Sequence, residues 1–88
     1  MPRSTRTKSE ARNIAEDDIK CHVGRRIRQI RRRKGMTQAQ LGSAVGVTFQ
    51  QIQKYESGRS TISSARLFRI AGALEDVISS FFFGLEEP

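Results

Sequence analysis

The stretch from Thr37 to Ser60, TQAQLGSAVGVTFQQIQKYESGRS, constrains the fold more than any other part of the chain. Thr37 is suited to cap a helix, and Leu41 and Val45 recur at i, i+4 before Gly46 supplies the backbone freedom that ends it. Val47 fills the corner. Thr48 offers a second cap, Ile52 and Tyr55 give the next helix one buried stripe, and Ser57-Gly58 stops it. The connection is too tight for a linker, so the two patterns form one unit.

Two helices separated by about 3–4 residues with a Gly in the turn make a helix-turn-helix, in which the second helix is presented to the DNA major groove. The residues Thr37-Gln38, Leu41, Gly46-Val47-Thr48, Ile52 and Tyr55-Glu56-Ser57-Gly58 carry a resemblance to the helix-turn-helix of the phage Cro and repressor type, the XRE family. The likeness extends more loosely from about Val23 to Phe82 and does not reach the first eighteen residues. Two positions depart from the family pattern: Gly42, where Ala is usual, and Asp76, where an apolar residue is more usual. The resemblance implies a lambda-repressor-like DNA-binding domain, and with it a transcriptional regulator that acts as a repressor, as a homodimer on a palindromic operator. The alternative it implies is an antitoxin that binds a toxin as well as its own operator.

A chain of 88 residues has room for one domain, and at this size only about 60% of the unfolded surface is buried, which favours a small helical bundle. The formal charge of +7 is unevenly placed. Lys20 to Lys34 holds Lys20, Arg25, Arg26, Arg28, Arg31, Arg32, Arg33 and Lys34 and no acid, whereas Glu75 to Pro88 holds four acids and no base. Such a patch is an electrostatic footprint for nucleic acid or an anionic membrane surface. Cys21 is the single cysteine, so no intrachain disulfide forms, which fits a reducing compartment. With no apolar run of spanning length and no secretory pattern, the expectation is a soluble cytoplasmic protein without membrane attachment.

Residues 1–18 are poor in large apolar side chains and read as a flexible N-terminal arm. The basic part of this arm (Arg3, Arg6, Lys8, Arg12) is suited to phosphates or a minor groove, or is simply an unstructured terminus. Residues 19–83 read as the DNA-binding domain and 84–88 as an acidic C-terminal tail. Within the domain, Asp17 or Asp18 is expected to cap a first helix over about Ile19 to Lys34, with Val23, Ile27 and Ile30 as its apolar stripe. Arg25, Arg28 and Arg32 point away from that stripe and Arg31 borders it; the resemblance implies that Arg31 pairs with Glu56. Ser63-Ser64 caps a fourth helix carrying Leu67, Ile70, Ala71 and Leu74, with Phe68 on its shoulder. A last short helix over about Val77 to Phe83 would turn Phe81 and Phe82 inward and Phe83 outward, either toward a dimer partner or simply to the surface, and the resemblance implies as a further alternative an irregular last turn that tucks all three aromatics into the core. The expected architecture is all-α, a compact five-helix bundle.

On a helix from Phe49 to Ser57, Ile52 and Tyr55 face inward and Gln50, Gln53, Lys54 and Ser57 outward. Gln suits the adenine edge and Lys the guanine edge, so Gln50 ranks first and Lys54 second for base contact. Phe49 either touches a thymine methyl or lies against neighbouring side chains. Gln38, at the N-terminus of its helix, is the leading phosphate contact, and the resemblance places one there. Thr37, Thr48 and Ser57 are further candidates, Thr48 being equally well read as a structural cap. Cys21-His22 is a weak metal pair, and no paired carboxylates or glycine-rich phosphate loop accompany it. No enzyme, cofactor or metal site is expected. A basic RNA-binding or membrane-surface protein is the remaining class.

Overall fold

The computed structural model describes residues 14–85, so most of the N-terminal arm and the last three residues of the acidic tail lie outside the described residues. Four α-helices and one 3-10 helix, with no strand, make up the described residues: α1 (Glu16–Arg33), α2 (Gln38–Val45), α3 (Phe49–Glu56), α4 (Ser64–Ala73) and the 3-10 helix (Ile78–Phe82).

α1 begins earlier than Asp17 or Asp18 acting as a cap would place it. Ala15 occupies the cap position without a side-chain hydrogen bond, and Glu16, Asp17 and Asp18 all lie in the first turn. There the carboxylates face the positive end of the helix dipole, while Arg31, Arg32 and Arg33 crowd the negative end. The later helices start where their hydroxyl residues stand. Thr37 and Gln40 close a reciprocal capping box on α2, at 3.0 Å for Gln40 N–H to Thr37 Oγ1 and 2.8 Å for Thr37 N–H to Gln40 Oε1. Thr48 accepts from the Gln51 amide at 3.1 Å and Ser63 from the Arg66 amide at 3.1 Å. Gly46, left-handed at φ 83°, turns the chain between α2 and α3.

One core joins these elements. Ile27, Ile30, Leu41, Ile52, Ile70, Leu74 and Phe81 are fully buried, with Val23, Val45, Tyr55 and Ala71 beside them. Two glycines let the helices approach this closely. A Cβ on Gly24 of α1 would stand 2.3 Å from the Tyr55 carbonyl oxygen of α3, and one on Gly42 would stand 2.6 Å from the Val47 carbonyl oxygen. Gly42 is therefore matched to a turn folded tightly against its own helix, which leaves no space for the Ala usual in the resembled family.

The fifth element is not an α-helix over Val77 to Phe83. Asp76 Oδ1 accepts from the Val77 amide at 2.8 Å and from the Ser80 hydroxyl at 2.6 Å, and Ser80 N–H bonds to Val77 O at 3.0 Å. These contacts tighten the segment to three residues per turn, which stacks Ile78 over Phe81 on the inner side. Phe81 is buried, but Phe82, expected inward, is swung outward with Phe83.

Candidate nucleic-acid interface

α3 is held on one side and open on the other. Ile52 and Tyr55 anchor it in the core, whereas Gln50, Gln53 and Lys54 are exposed. Phe49, at the start of the helix, is 46% exposed. Ser57 stands at the C-terminal cap, where its hydroxyl donates to the Lys54 carbonyl at 3.2 Å. Thr37 and Thr48 are exposed and both hydroxyls serve as caps, each retaining a surface-facing oxygen.

The angle of α3 to α1 is set by a buried ionic network. Arg31 Nε donates to Glu56 Oε2 at 2.6 Å and Arg31 Nη2 to Glu56 Oε1 at 3.0 Å, the parallel geometry in which a guanidinium binds a carboxylate best. Arg31 Nη1 donates to the Met36 carbonyl at 2.8 Å. Gln38 Nε2 completes the set by donating to Glu56 Oε1 at 3.0 Å. The side chain at the front of α2 is therefore tied to the end of α3 before any ligand arrives. Arg31 and Glu56 are 8% and 7% exposed, so their charges are satisfied by each other and by these neighbours rather than by water.

Beside this network an open cleft of about 710 Å³ is lined by Arg28, Arg31, Arg32, Thr37, Gln38 and Gln53 among others. It gathers residues from α1, α2 and α3 that lie far apart in the sequence. The cations of α1 divide accordingly. Arg28 and Arg32 face the cleft, while Arg26 is turned to the far end of the chain, donating to Ser80 O at 2.8 Å and lying 5.4 Å from the Phe83 ring centroid. A second strap is formed by His22, whose Nε2–H donates to the Phe83 carbonyl at 2.7 Å. Cys21 and His22 thus serve different neighbours, Cys21 packing against Gly58, and among the described residues no group of His, Cys, Asp and Glu is placed to hold a metal. No described helix is long and apolar enough to cross a membrane.

Two capped helices joined at a left-handed glycine, the second anchored by one stripe and exposed along the other, define a helix-turn-helix domain of the DNA-binding regulator class. The chain belongs to the helix-turn-helix family, whose model matches residues 27–77. It is 50% identical over 74 residues to an uncharacterized HTH-type transcriptional regulator, y4aM, of Sinorhizobium fredii, covering 84% of this chain and 51% of that protein. It is 49% identical over 78 residues to an uncharacterized transcriptional regulator in the ATPase CF(0) region of Rhodospirillum rubrum, covering 89% of this chain and 70% of that protein. The chain spans about half the length of the Sinorhizobium fredii relatives it matches. Among solved structures, the clp gene regulator ClgR of Corynebacterium glutamicum superposes with a TM-score of 0.70 at 27% identity, over 72% of this chain and 81% of that one. The restriction-modification controller protein C.AhdI of Aeromonas hydrophila shares the fold, with a TM-score of 0.74 at 23% identity over 78% of this chain and all of that one.

Proposed function

We propose that the protein is a sequence-specific repressor that lays α3 in the major groove of duplex DNA and binds a palindromic operator as a homodimer. The observation that carries this reading is the cleft in which Arg28, Arg32, Gln38 and Gln53 converge beside the exposed face of α3. A duplex seated on α3 brings one strand's phosphates to that cleft, where the amides at the front of α2, the Gln38 side chain and the two arginines meet it. Gln50, Gln53 and Lys54 then address base edges, with Phe49 beside them for a thymine methyl, and Thr37, Thr48 and Ser57 lie along the flanking backbone. Residues 19–83 act as the DNA-binding unit, the basic arm in residues 1–18 adds phosphate contacts, and residues 84–88 form a tail. A single such unit covers one half-site, and two half-sites about 34 Å apart give the second contact at high effective concentration.

Selection of binding sites from random duplexes tests the reading. The wild type is expected to recover a two-fold symmetric site, and Gln50→Ala to relax one base position per half-site by about 1–3 kcal/mol. A Gln50→Ala protein that selects the same site at every position would remove Gln50 from base reading and with it the proposed register of α3.

A further inference from the structure

We propose that the groove between α1, the segment that follows α3, and the 3-10 helix binds a small aliphatic monocarboxylate, burying its chain and holding its head at Lys20. The inference goes beyond the DNA-binding reading above and uses none of the side chains assigned there to bases or phosphates; only an effect of the ligand on DNA rests on that reading. The groove holds about 140 Å³. Its walls are apolar: Ile19 and Val23 from α1, Ile62 from the connection to α4, Leu67 from α4 and Phe82 from the 3-10 helix. Ile19, Ile62 and Leu67 are only partly buried against the core, and Phe82 is 39% exposed. The turn that swings Phe82 outward thus leaves its ring as one wall of an apolar slot that the described residues do not fill.

Size selects the ligand's chain. Sites for drug-sized molecules run from about 300 to 1,000 Å³, whereas an apolar cavity of about 150 Å³ takes a ring of six carbons. A groove of about 140 Å³ therefore matches a chain of about four to six carbons and has no room for a long acyl tail or a fused ring.

The rim selects its charge. Lys20, Ser60 and Thr61 form the polar edge of the groove. The Lys20 side chain is 32% exposed, so its stem lies along the protein and carries the ammonium to that edge. Its salt-bridge partner is Asp17, at 3.5 Å across one turn of α1, with the Asp17 side chain 89% exposed. Such a solvated pair is loose beside a charge-assisted bond of about 2.7–2.9 Å. A carboxylate anchored by its own buried chain reaches the same ammonium, with the Ser60 and Thr61 hydroxyls as further donors, while Asp17 turns to water. An alkylamine would be repelled by Lys20 and would have solvated Asp17 to pair with.

The groove also adjoins the end of α3. Ser60 lies two residues beyond Gly58, where the chain leaving α3 is pressed against α1: a Cβ on Gly58 would stand 2.7 Å from Cys21 Sγ. A ligand seated between α1 and the Ser60–Ile62 segment therefore bears on the seam that positions the recognition unit. Any factor by which it changes the affinity for DNA is returned as the same factor in its own affinity when DNA binds.

Methyl NMR of the full chain, titrated with hexanoate, hexanol and hexylamine, decides the matter. Hexanoate is expected to give saturable shifts at Ile19, Val23, Ile62 and Leu67 with a Kd of about 1 mM or tighter, and to leave Leu41 and Val45, which do not line the groove, in place. From butyrate to hexanoate the Kd should fall about fourfold per methylene, and it should fall no further at octanoate, whose chain outgrows the slot. Hexanol and hexylamine should both bind more weakly than hexanoate. Lys20→Met should loosen hexanoate about two- to fivefold and leave hexanol unchanged, a difference that a general loss of packing does not produce. Ile62→Phe, which fills the slot, should abolish binding; Lys20→Met keeps the test decisive should circular dichroism show that the Phe variant does not fold. Hexanoate shifts that remain linear up to about 10 mM overturn the inference, as does a Kd indifferent to chain length or hexylamine binding as tightly as hexanoate. Saturable hexanoate binding by a protein that binds no DNA supports the groove and removes the functional reading. Operator binding by a protein that takes up no hexanoate overturns the groove and leaves that reading standing.

Discussion

Glu56 is the residue on which three elements converge. Its two oxygens receive Arg31 from α1 and Gln38 from α2, while its own backbone ends α3. Removing one partner leaves a buried charge uncompensated, a loss of about 3–5 kcal/mol for a fully buried pair and a large part of the stability of a small domain. Removing both together is far less costly, because the site then holds apolar volume rather than an orphan charge. Arg31→Met and Glu56→Leu are each expected to lower the urea midpoint strongly, and the double variant to recover much of the loss. A double-mutant cycle with a coupling energy near zero would show instead that the two residues act independently. Helical periodicity set Arg31 beside the apolar stripe, but its pairing with Glu56 was legible only through family resemblance. The Gln38–Glu56 bond was not legible at all, since it joins residues eighteen apart in sequence through a helix angle that no local pattern encodes. The capping box was closer to hand: the spacing Thr37-x-x-Gln40 carries it, and a reading that stops at the cap residue misses it.

At the scale of elements, α2, α3 and α4 announce themselves because their signals are local. Thr37, Thr48 and Ser63 each satisfy an amide within the next three residues, and Gly46 ends α2 by its own backbone conformation. The last element lacks such a marker. Ile78, Phe81 and Phe82 fit an α-helical stripe as well as a 3-10 turn, and the choice between them falls to Asp76. The Ser80 hydroxyl and then the Val77 amide donate to this carboxylate and hold it below its ordinary value of 3.8 against an opposing desolvation, with Lys34 and Arg33 as lesser contributors. A carboxylate depressed in the folded state stabilises above its unfolded pKa, and that contribution is lost as pH falls through the lower, folded value. Amide exchange at Ser80 and Phe81 in the wild type should therefore quicken below the carboxylate range, relative to the amides of α2. Asp76→Asn keeps an acceptor but removes the charge, so it should quicken exchange at neutral pH and flatten the acid dependence. If the variant and the wild type show the same acid dependence, Asp76 is not the group that fastens the segment.

For the molecule as a whole, the sequence displays a run of cations on α1 but does not say which of them face a duplex. The fold divides them: Arg31 is consumed in the core, Arg26 straps the 3-10 segment, and Arg28 and Arg32 line the cleft with Gln38 and Gln53. Arg25 is exposed outside the cleft-lining set. A cation that neutralises a phosphate releases a condensed counterion, so each such contact adds about 0.9 to the slope of log K against log salt. Arg28→Ala and Arg32→Ala are accordingly expected to weaken specific and random duplexes alike and to reduce the slope by about one each. Arg25→Ala removes the same charge one helical turn from Arg28, outside the cleft-lining set, and should reduce the slope by less than either. Salt titrations by fluorescence anisotropy separate the cases, because equal reductions for Arg25→Ala and Arg28→Ala would mean that total charge, rather than the cleft beside α3, sets the attraction.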